Sequence, residues 1–442
     1  MKSMAQMKYH YGLKVRIYPS DRQKKIIKIN SDASRFIYNE MVAINKELWR
    51  LKQVKLPIDT IQNRIEQLEL RQSAKQMSNH FQFLEDKRID SLTKANAIQN
   101  YHKAWNAFRK VHTAGVSLTK ANAIQNYHKA WNAFRKVHTA GVPKFHRKSY
   151  VWRYQTNCQY LKQKAAYLTN GTVHFEDSKH VIVPKLGRLR VKGSHQRVLA
   201  RSAETRIGTV TIVKDASGRF FLSMQLASDT PFVNWPQNTG KQIGIDLNTE
   251  NFLTTSDGDT VANPRYYRII KGRLAKAQRI LSRRARRAKQ EHRPLRTSKN
   301  YQKQRLLVAK LHAQVFERRR DFLHNVSTTL IKNHDFVAAE ELRSKNMLKN
   351  HALAMSIADV GWRTFLGMLA YKAELYHRQF LTVNPKNTTQ ACHECGFVMG
   401  TAGTEKLTLA DREWTCPKCH AHHVRDHNAA QNILTKGIIK LA

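Results

Sequence analysis

The sequence predicts a multidomain α/β protein. A small β unit is interrupted by a helical lobe and followed by an α/β domain that carries a metal-bound ribbon. Three observations predict it. Residues 8–19 alternate apolar and polar side chains as a strand does, the next stretch is helical, and short strands resume after about residue 146. From residue 242 onward, short apolar runs ending in an acid are interleaved with long helical sequence. Near the C-terminus, Cys392-His-Glu-Cys395 and Cys416-Pro-Lys-Cys419 form two CxxC knuckles. Each knuckle points two thiolates the same way, and two knuckles complete one tetrahedral zinc site.

Charge bounds the partner. The 442 residues hold 77 Lys and Arg against 32 Asp and Glu, a net charge of +45. A field of that sign and size steers polyanions, so nucleic acid is the expected partner. The chain is 41% hydrophobic, enough to bury real cores, which excludes a disordered basic tail. Its length allows two to four domains. It has no run of 18 apolar residues and no signal-peptide core, so a soluble cytoplasmic protein without a membrane partner is expected. Four of the five cysteines lie in the knuckles. That usage fits a reducing compartment and excludes a disulfide framework. Cys158 is expected to be a packed or surface thiol. A basic ribosomal-type or chromatin protein is the plainer class that fits the same composition.

In chain order, Tyr9, Tyr11, Leu13, Val15 and Ile17 mark the first strand. From 21 to about 85 the spacing of Ile26, Ile29, Phe36, Ile37, Met41, Leu48 and Leu51 is helical, with a break at Pro57 and a new start near Thr60. Residues 91–116 and 117–142 are identical over 26 positions, an exact tandem repeat that points to a recent duplication or an assembly artefact. Each copy reads as one helix, with Ser91 or Thr93 as cap and Ile98, Tyr101, Trp105 and Phe108 as the apolar stripe. Trp49, Trp105 and Trp131 are expected in cores. Between 146 and 236 come short strands, at 179–184 and in a hairpin of 209–214 and 219–226 around the turn at 215–218. With the first strand they suggest a small barrel or sandwich.

In the final block, 243–247, 251–255, 336–340 and 380–383 read as strands, and a basic helical stretch runs from about 264 to 332, broken near Pro294. Helical sequence follows near 357–378. Three carboxylates stand at element ends: Asp246 and Glu340 after strands and Asp426 opening a helix. Acids brought from separate elements can hold two Mg²⁺ ions about 4 Å apart for phosphodiester hydrolysis. Arg283, Arg284, Arg286, Arg287 and Lys289 crowd one helix with almost no balancing acid, and are expected to contact phosphates. His420, His422 and His423 flank the knuckles, but four thiolates already satisfy the zinc.

The motifs GIDLN at 244–248, AAEEL at 338–342, NPKNTTQACHECG at 384–396 and DHNAAQN at 426–432 resemble those of the transposon-encoded TnpB nucleases, relatives of the compact type V CRISPR effectors. The N-terminal segment at 15–19 and RRRDFLH at 318–324 resemble that family in style. The resemblance implies an RNA-guided DNA endonuclease with one RuvC-type, RNase H-like site. It implies Asp246, Glu340 and Asp426 as ligands of two Mg²⁺ and Cys392, Cys395, Cys416 and Cys419 as ligands of one Zn²⁺. It further implies a non-coding RNA as scaffold and guide, double-stranded target DNA with a short flanking motif, one protein per RNA, and a place beside the nucleoid of a prokaryotic cell. The corresponding division is 1–20 for the first strand of a wedge-like β-barrel, 21–146 for a helical recognition lobe and 147–239 for the rest of the barrel. Residues 240–442 would then form the nuclease domain, with its ribbon at about 386–422.

Three positions depart from the family pattern: Val424 stands where an acid is usual, His427 where an apolar residue is commoner, and Glu341 follows Glu340. Two other readings fit less of the pattern, a guided DNA-binding repressor without cleavage and a transposase acting without RNA.

Overall fold

The alternation at the N-terminus becomes strand β1 (Tyr9–Tyr18), which buries Leu13, Val15 and Ile17 on one face. A computed structural model describes residues 4–54, 59–113, 143–160, 168–200, 204–341, 359–408 and 410–441. The chain divides into two units, Met1–Phe232 and Val233–Ala442.

In the first unit β1 is central to a seven-stranded antiparallel sheet. Its other strands are β2 (Trp152–Asn157), β3 (His174–Phe175), β4 (His180–Val183), β5 (Gly187–Lys192), β6 (Arg206–Lys214) and β7 (Phe220–Ser228). The order is β2-β6-β7-β1-β5-β4-β3, so the segment before the helices completes a sheet built after them. Just past β2 and just before β3, the Gln159 amide donates to Thr172 Oγ1 at 2.9 Å and the Thr172 amide to Gln159 O at 2.8 Å. These bonds bring the ends of the two outer strands together. Leu13, Ile17, Phe175, Val181, Ile212 and Leu222 share the core beneath the sheet, and Cys158 packs partly buried against it.

The inserted helices are α1 (Asp21–Leu51), α2 (Asp59–Leu70), α3 (Ala74–His80) and α4 (Ser91–Thr113). A short α5 (Gln196–Leu199) follows β5. A capping box of Ser20 and Gln23 starts α1, satisfying amides that a helix N-terminus leaves bare. Gln23 also donates to the carbonyls of Leu186 and Arg188, both at 2.8 Å, which ties the helix to the β4–β5 turn. Ile37, Met41, Ile44, Leu68, Met77 and Tyr101 form the helical core.

Two expectations fail here. The cap of α4 is Asp90, whose carboxylate accepts from the Leu92 amide at 3.1 Å; Thr93 is fully buried and does not serve. Trp49 is 62% exposed, because Leu48 holds the core-facing position at the end of α1 and its neighbour rotates outward. Trp105 packs against the core as expected, stacked on Tyr101. The second repeat copy with Trp131, the break at Pro57 and the sequence of 342–358 lie outside the described residues.

The second unit is built on a five-stranded sheet of β8 (Gln242–Asp246), β9 (Asn251–Thr255), β10 (Thr260–Ala262), β11 (Phe336–Glu340) and β12 (Gln379–Val383). Its order is β10-β9-β8-β11-β12, with the first three antiparallel and β8, β11 and β12 parallel. The β8 to β11 connection contains the basic pair α6 (Tyr266–Gln290) and α7 (Lys299–Asn333), separated around Pro294 as expected. Helix α8 (Trp362–Tyr376) packs against α7. Lys372 is buried between them and donates to His324 O, Ser327 Oγ and Thr328 Oγ1, each at 2.7 Å. Burial without a carboxylate lowers its amine to about 8.

The hairpin of β13 (Glu413–Thr415) and β14 (His422–Val424) runs directly into the last helix, α9 (Arg425–Leu441). Two glycines let α9 lie close on the sheet. A Cβ on Gly244 would sit 2.2 Å from the Ala430 carbonyl, and one on Gly437 would sit 2.6 Å from the Ala338 side chain. Among the described residues, no helix is long and apolar enough to cross a membrane.

Candidate active site and metal ribbon

β8 and β11 pair in parallel with Ala339 opposite Ile245, so Glu340 and Asp246 follow side by side at the strands' C-terminal ends. That end of a parallel pair is where open α/β sheets present reactive groups. The close approach at Gly244 holds α9 over the same edge and brings Asp426, in its first turn, to the two strand-borne acids. The structure thus makes neighbours of the three carboxylates singled out in the sequence, near enough for Asp426 and Glu340 to act on Asp246 by charge, though their oxygens do not all lie within 4.8 Å of one another. Burial raises the Asp246 carboxyl to about 7, and the charges of Asp426 and Glu340 add to that effect, against Arg425 and a hydrogen bond from Asn248. Burial also raises Glu340, opposed by a hydrogen bond from Thr388 and by the charge of Lys436. The Thr388 hydroxyl donates to Glu340 Oε1 at 2.8 Å.

Asp426 is held by two arginines. Nε and Nη2 of Arg425 donate to its Oδ1 at 3.1 and 3.0 Å, while Nη1 of Arg425 donates to the Thr408 carbonyl. Arg412 lies 3.7 Å from the other oxygen and pairs with Glu250 at 2.6 Å. Glu341, next to Glu340, is exposed, as its place one step along the strand requires. Val424 is 50% exposed, and His427 turns its Nε2 to the Ser256 carbonyl at 3.0 Å. Arg425, Arg412 and Thr388 did not stand out in the sequence. Thr388 lies inside the motif at 384–396 and Arg425 directly precedes the one at 426–432, but neither place tells which acid the side chain meets, and Arg412 carries no local signal.

Three neighbouring carboxylates, with Asp246 raised first by burial and then by the charges of the other two, form an oxygen donor set flanked by Arg425, Arg412 and Lys436. Hard oxygen ligands of this kind fit Mg²⁺.

In the ribbon, the Sγ atoms of Cys392, Cys395, Cys416 and Cys419 all lie within 4.8 Å of one another. The Cys392–Cys419 and Cys395–Cys416 pairs are 3.6 Å apart. A Zn–S bond of about 2.3 Å in a tetrahedron sets sulfur atoms about 3.8 Å apart, so the four thiolates fit Zn²⁺. Each knuckle closes with an amide returning to its first cysteine, from Gly396 to Cys392 O at 2.9 Å and from His420 to Cys416 O at 3.0 Å. Both returning residues are left-handed, at φ of 72° and 59°, which explains the glycine at one of them. His423 is buried with Nε2 3.0 Å from Cys392 Sγ, beside the four sulfurs and not among them. Among the described residues, Glu176, Asp177 and His180 also bring metal-ligand types together, but they are partly exposed and Arg188 already pairs with both acids.

The basic run on α6 divides in two. Arg283, Arg286, Arg287 and Lys289 are exposed. Arg284 is partly buried and donates to the Asn300 carbonyl at 2.7 Å, fastening α6 to α7, and Arg287 pairs with Glu291 at 2.8 Å.

Three family models match successive parts of the chain. They are described as a helix-turn-helix domain over 7–53, a probable transposase over 224–351, and a Cas12f1-like TNB domain over 362–433. A Streptomyces pristinaespiralis protein named "Putative RNA-guided DNA endonuclease" is 39% identical over 231 residues, 52% of this chain and 53% of its own. The InsQ protein of Escherichia coli K12, which bears the same name, is 29% identical over 60% of this chain and 64% of its own. The matches thus span less than two thirds of either relative. A mimivirus "TnpB-like protein L79" is 27% identical over 33% of the chain and 28% of its own. A distant likeness extends to a solved structure, "Cryo-EM structure of the Cas12f1-sgRNA-target DNA complex", at 14% identity, 96% and 98% coverage and a TM-score of 0.48. Family matches at its first strand and helix, its central block and its C-terminal ribbon, together with these relatives, make the chain similar to proteins named as putative RNA-guided DNA endonucleases and TnpB-like proteins.

Proposed function

We propose that the chain is an RNA-guided DNA endonuclease that cleaves by Mg²⁺-dependent phosphodiester hydrolysis at one site made of Asp246, Glu340 and Asp426. The observation that carries the reading is the convergence of these acids from β8, β11 and α9, with Asp246 raised to about 7 by burial and by its two neighbours. The strand order β10-β9-β8-β11-β12, three antiparallel strands followed by two parallel ones, supports an RNase H-like, RuvC-type domain. The seven-stranded sheet with helices inserted after β1 supports a wedge-like barrel interrupted by a recognition lobe, with the divisions 1–20, 21–146, 147–239 and 240–442.

Two Mg²⁺ ions held by the three carboxylates would supply an activated water and stabilise the leaving oxygen. The chain's own residues do the rest. The strand ends fix Asp246 and Glu340 at one edge, and Arg425 orients Asp426 from behind. Arg283, Arg286, Arg287 and Lys289 offer phosphate contacts along α6. The four thiolates hold Zn²⁺ and so fix the ribbon that leads into α9. Sequence choice would lie in base pairing by a bound non-coding RNA, and the protein would read only a short motif flanking the DNA target. We further propose one chain per RNA and a cytoplasmic place beside the nucleoid.

Sequencing the RNA that stays with the purified chain through a wash at about 200 mM salt tests the guiding step, since non-specific phosphate contacts fade steeply there. One discrete species with a constant scaffold and a variable end supports it. A random smear or no RNA favours the second reading, a transposase acting on DNA alone, which the probable-transposase match over 224–351 keeps in view.

A further inference from the structure

The two C-terminal motifs meet in the folded chain through side chains that neither metal site uses. Asn428 is buried and bonds on both sides of the zinc ligand Cys392. Its Oδ1 accepts from the His393 amide at 2.9 Å, and its Nδ2 donates to the Ala391 carbonyl at 2.7 Å. One helical turn later, Asn432 Nδ2 donates to the Ala391 carbonyl at 2.7 Å and the Thr388 carbonyl at 2.9 Å. Thr388 is 2% exposed, and its hydroxyl reaches Glu340 Oε1 at 2.8 Å with the Pro385 carbonyl at 3.0 Å as the competing acceptor. A hydroxyl has one proton, and a carboxylate is the stronger acceptor, so the bond to Glu340 dominates.

A continuous path therefore runs from the Cys392 knuckle. Asn428 and Asn432 carry it to the helix that bears Asp426, and Thr388 carries it to Glu340. A carboxamide is needed at 428 because the site asks for a donor and an acceptor at once. Aspartate would supply only acceptors and leave the Ala391 carbonyl facing a buried charge.

We propose that Asn428, Asn432 and Thr388 are positioning residues that couple the zinc knuckle to the carboxylates Glu340 and Asp426, so that the ribbon sets the divalent-cation affinity of the acidic site. The inference rests on the reading of Asp246, Glu340 and Asp426 as a cation site, and goes beyond it by giving the ribbon a role in that site's geometry. Groups that orient ligands from outside commonly change metal affinity by about 10- to 100-fold when removed. A ribbon that only stabilises the fold would show no such effect once the variant is folded and zinc-loaded.

The test titrates Mn²⁺ into the full-length, zinc-loaded chain freed of nucleic acid, reading free Mn²⁺ by electron paramagnetic resonance and zinc by elemental analysis. Thr388→Val should keep its zinc and its thermal midpoint yet bind Mn²⁺ about tenfold more weakly or worse. Thr388→Ser, which restores the hydroxyl, should return to within about threefold of the parent. Asn432→Leu should weaken Mn²⁺ binding in the same direction. If Asn428→Leu fails to fold, the Thr388 pair still decides. Wild-type Mn²⁺ affinity in zinc-loaded Thr388→Val overturns the coupling. Asp246→Ala separates the two levels. If it weakens Mn²⁺ binding while Thr388→Val does not, only the coupling fails; if it leaves binding unchanged, the cation site itself fails and the coupling falls with it.

Discussion

Asp246→Asn should stabilise the Mg²⁺-free protein at pH 8 while removing its proposed activity. The Asp246 carboxyl moves from an unfolded value of 3.8 to about 7 in the fold. Between those values the folded chain holds a proton that the unfolded chain has released. Stability therefore falls as pH rises through this window, and the full cost is present above about pH 7. Some three pH units at about 1.4 kcal/mol each give a ceiling of about 4 kcal/mol, reduced by solvent on the open side of the site. Asparagine has the same shape and no charge to desolvate, so it lacks this slope. Pulse proteolysis in urea, on zinc-loaded protein without chelator, would read it. At pH 5, about one unit above the unfolded value, the variant should lead by only a little over a third of its pH 8 advantage. At pH 8 the variant's midpoint should lie higher by about 1 M, taking a slope of about 3 kcal/mol per M for a unit of this size. Millimolar Mg²⁺ at pH 8 should raise the parent and leave the variant where it was. An equal offset at both pH values, or an equal Mg²⁺ response in both proteins, would show that the slope does not come from Asp246.

Other perturbations separate the parts of the site. Gly244→Ala forces a methyl to within 2.2 Å of the Ala430 carbonyl, so α9 must lift, at a cost of about 1–3 kcal/mol in unfolding free energy. Cys416→Ser should lose zinc by elemental analysis and lower the second unit's midpoint; unchanged zinc content would contradict the four-thiolate site. Replacing Arg283, Arg286 and Lys289 with Gln should flatten the salt dependence of nucleic-acid binding by about 0.7–0.9 in log–log slope for each phosphate left without its cation. Arg284→Ala should instead lower stability, because that guanidinium fastens α6 to α7. Deleting 117–142 should leave activity intact, and its loss would show that the repeat matters.

The strands and helices of the second unit were legible because their signals are local. Gln242–Asp246 and Phe336–Glu340 are short apolar runs ending in acids, and Pro294 breaks the basic helices where the sequence says it must. The four cysteines announced their cluster by spacing alone. What local sequence hid is what distance decides. Nothing near Arg412 tells that it reaches Asp426, nor near Thr388 that its hydroxyl meets a strand 48 residues earlier. The cap of α4 is Asp90 and not Ser91 or Thr93: all three are good cap formers, and only the carboxylate's bond from the Leu92 amide tells which one serves. Trp49 is exposed, and a helical stripe does not distinguish the last core position, here Leu48, from the first exposed position beyond it.

Guided cleavage at the three acids is decided by giving the chain, with the RNA it retains, a DNA to cut. Duplex DNA complementary to the variable end of that RNA is supplied with Mg²⁺, beside an unrelated duplex and the Asp246→Ala variant. A guided nuclease of this design cuts the complementary duplex alone, and only as the parent, while the variant still binds that duplex. Equal cutting by Asp246→Ala, or cutting that ignores the RNA sequence, would rule it out.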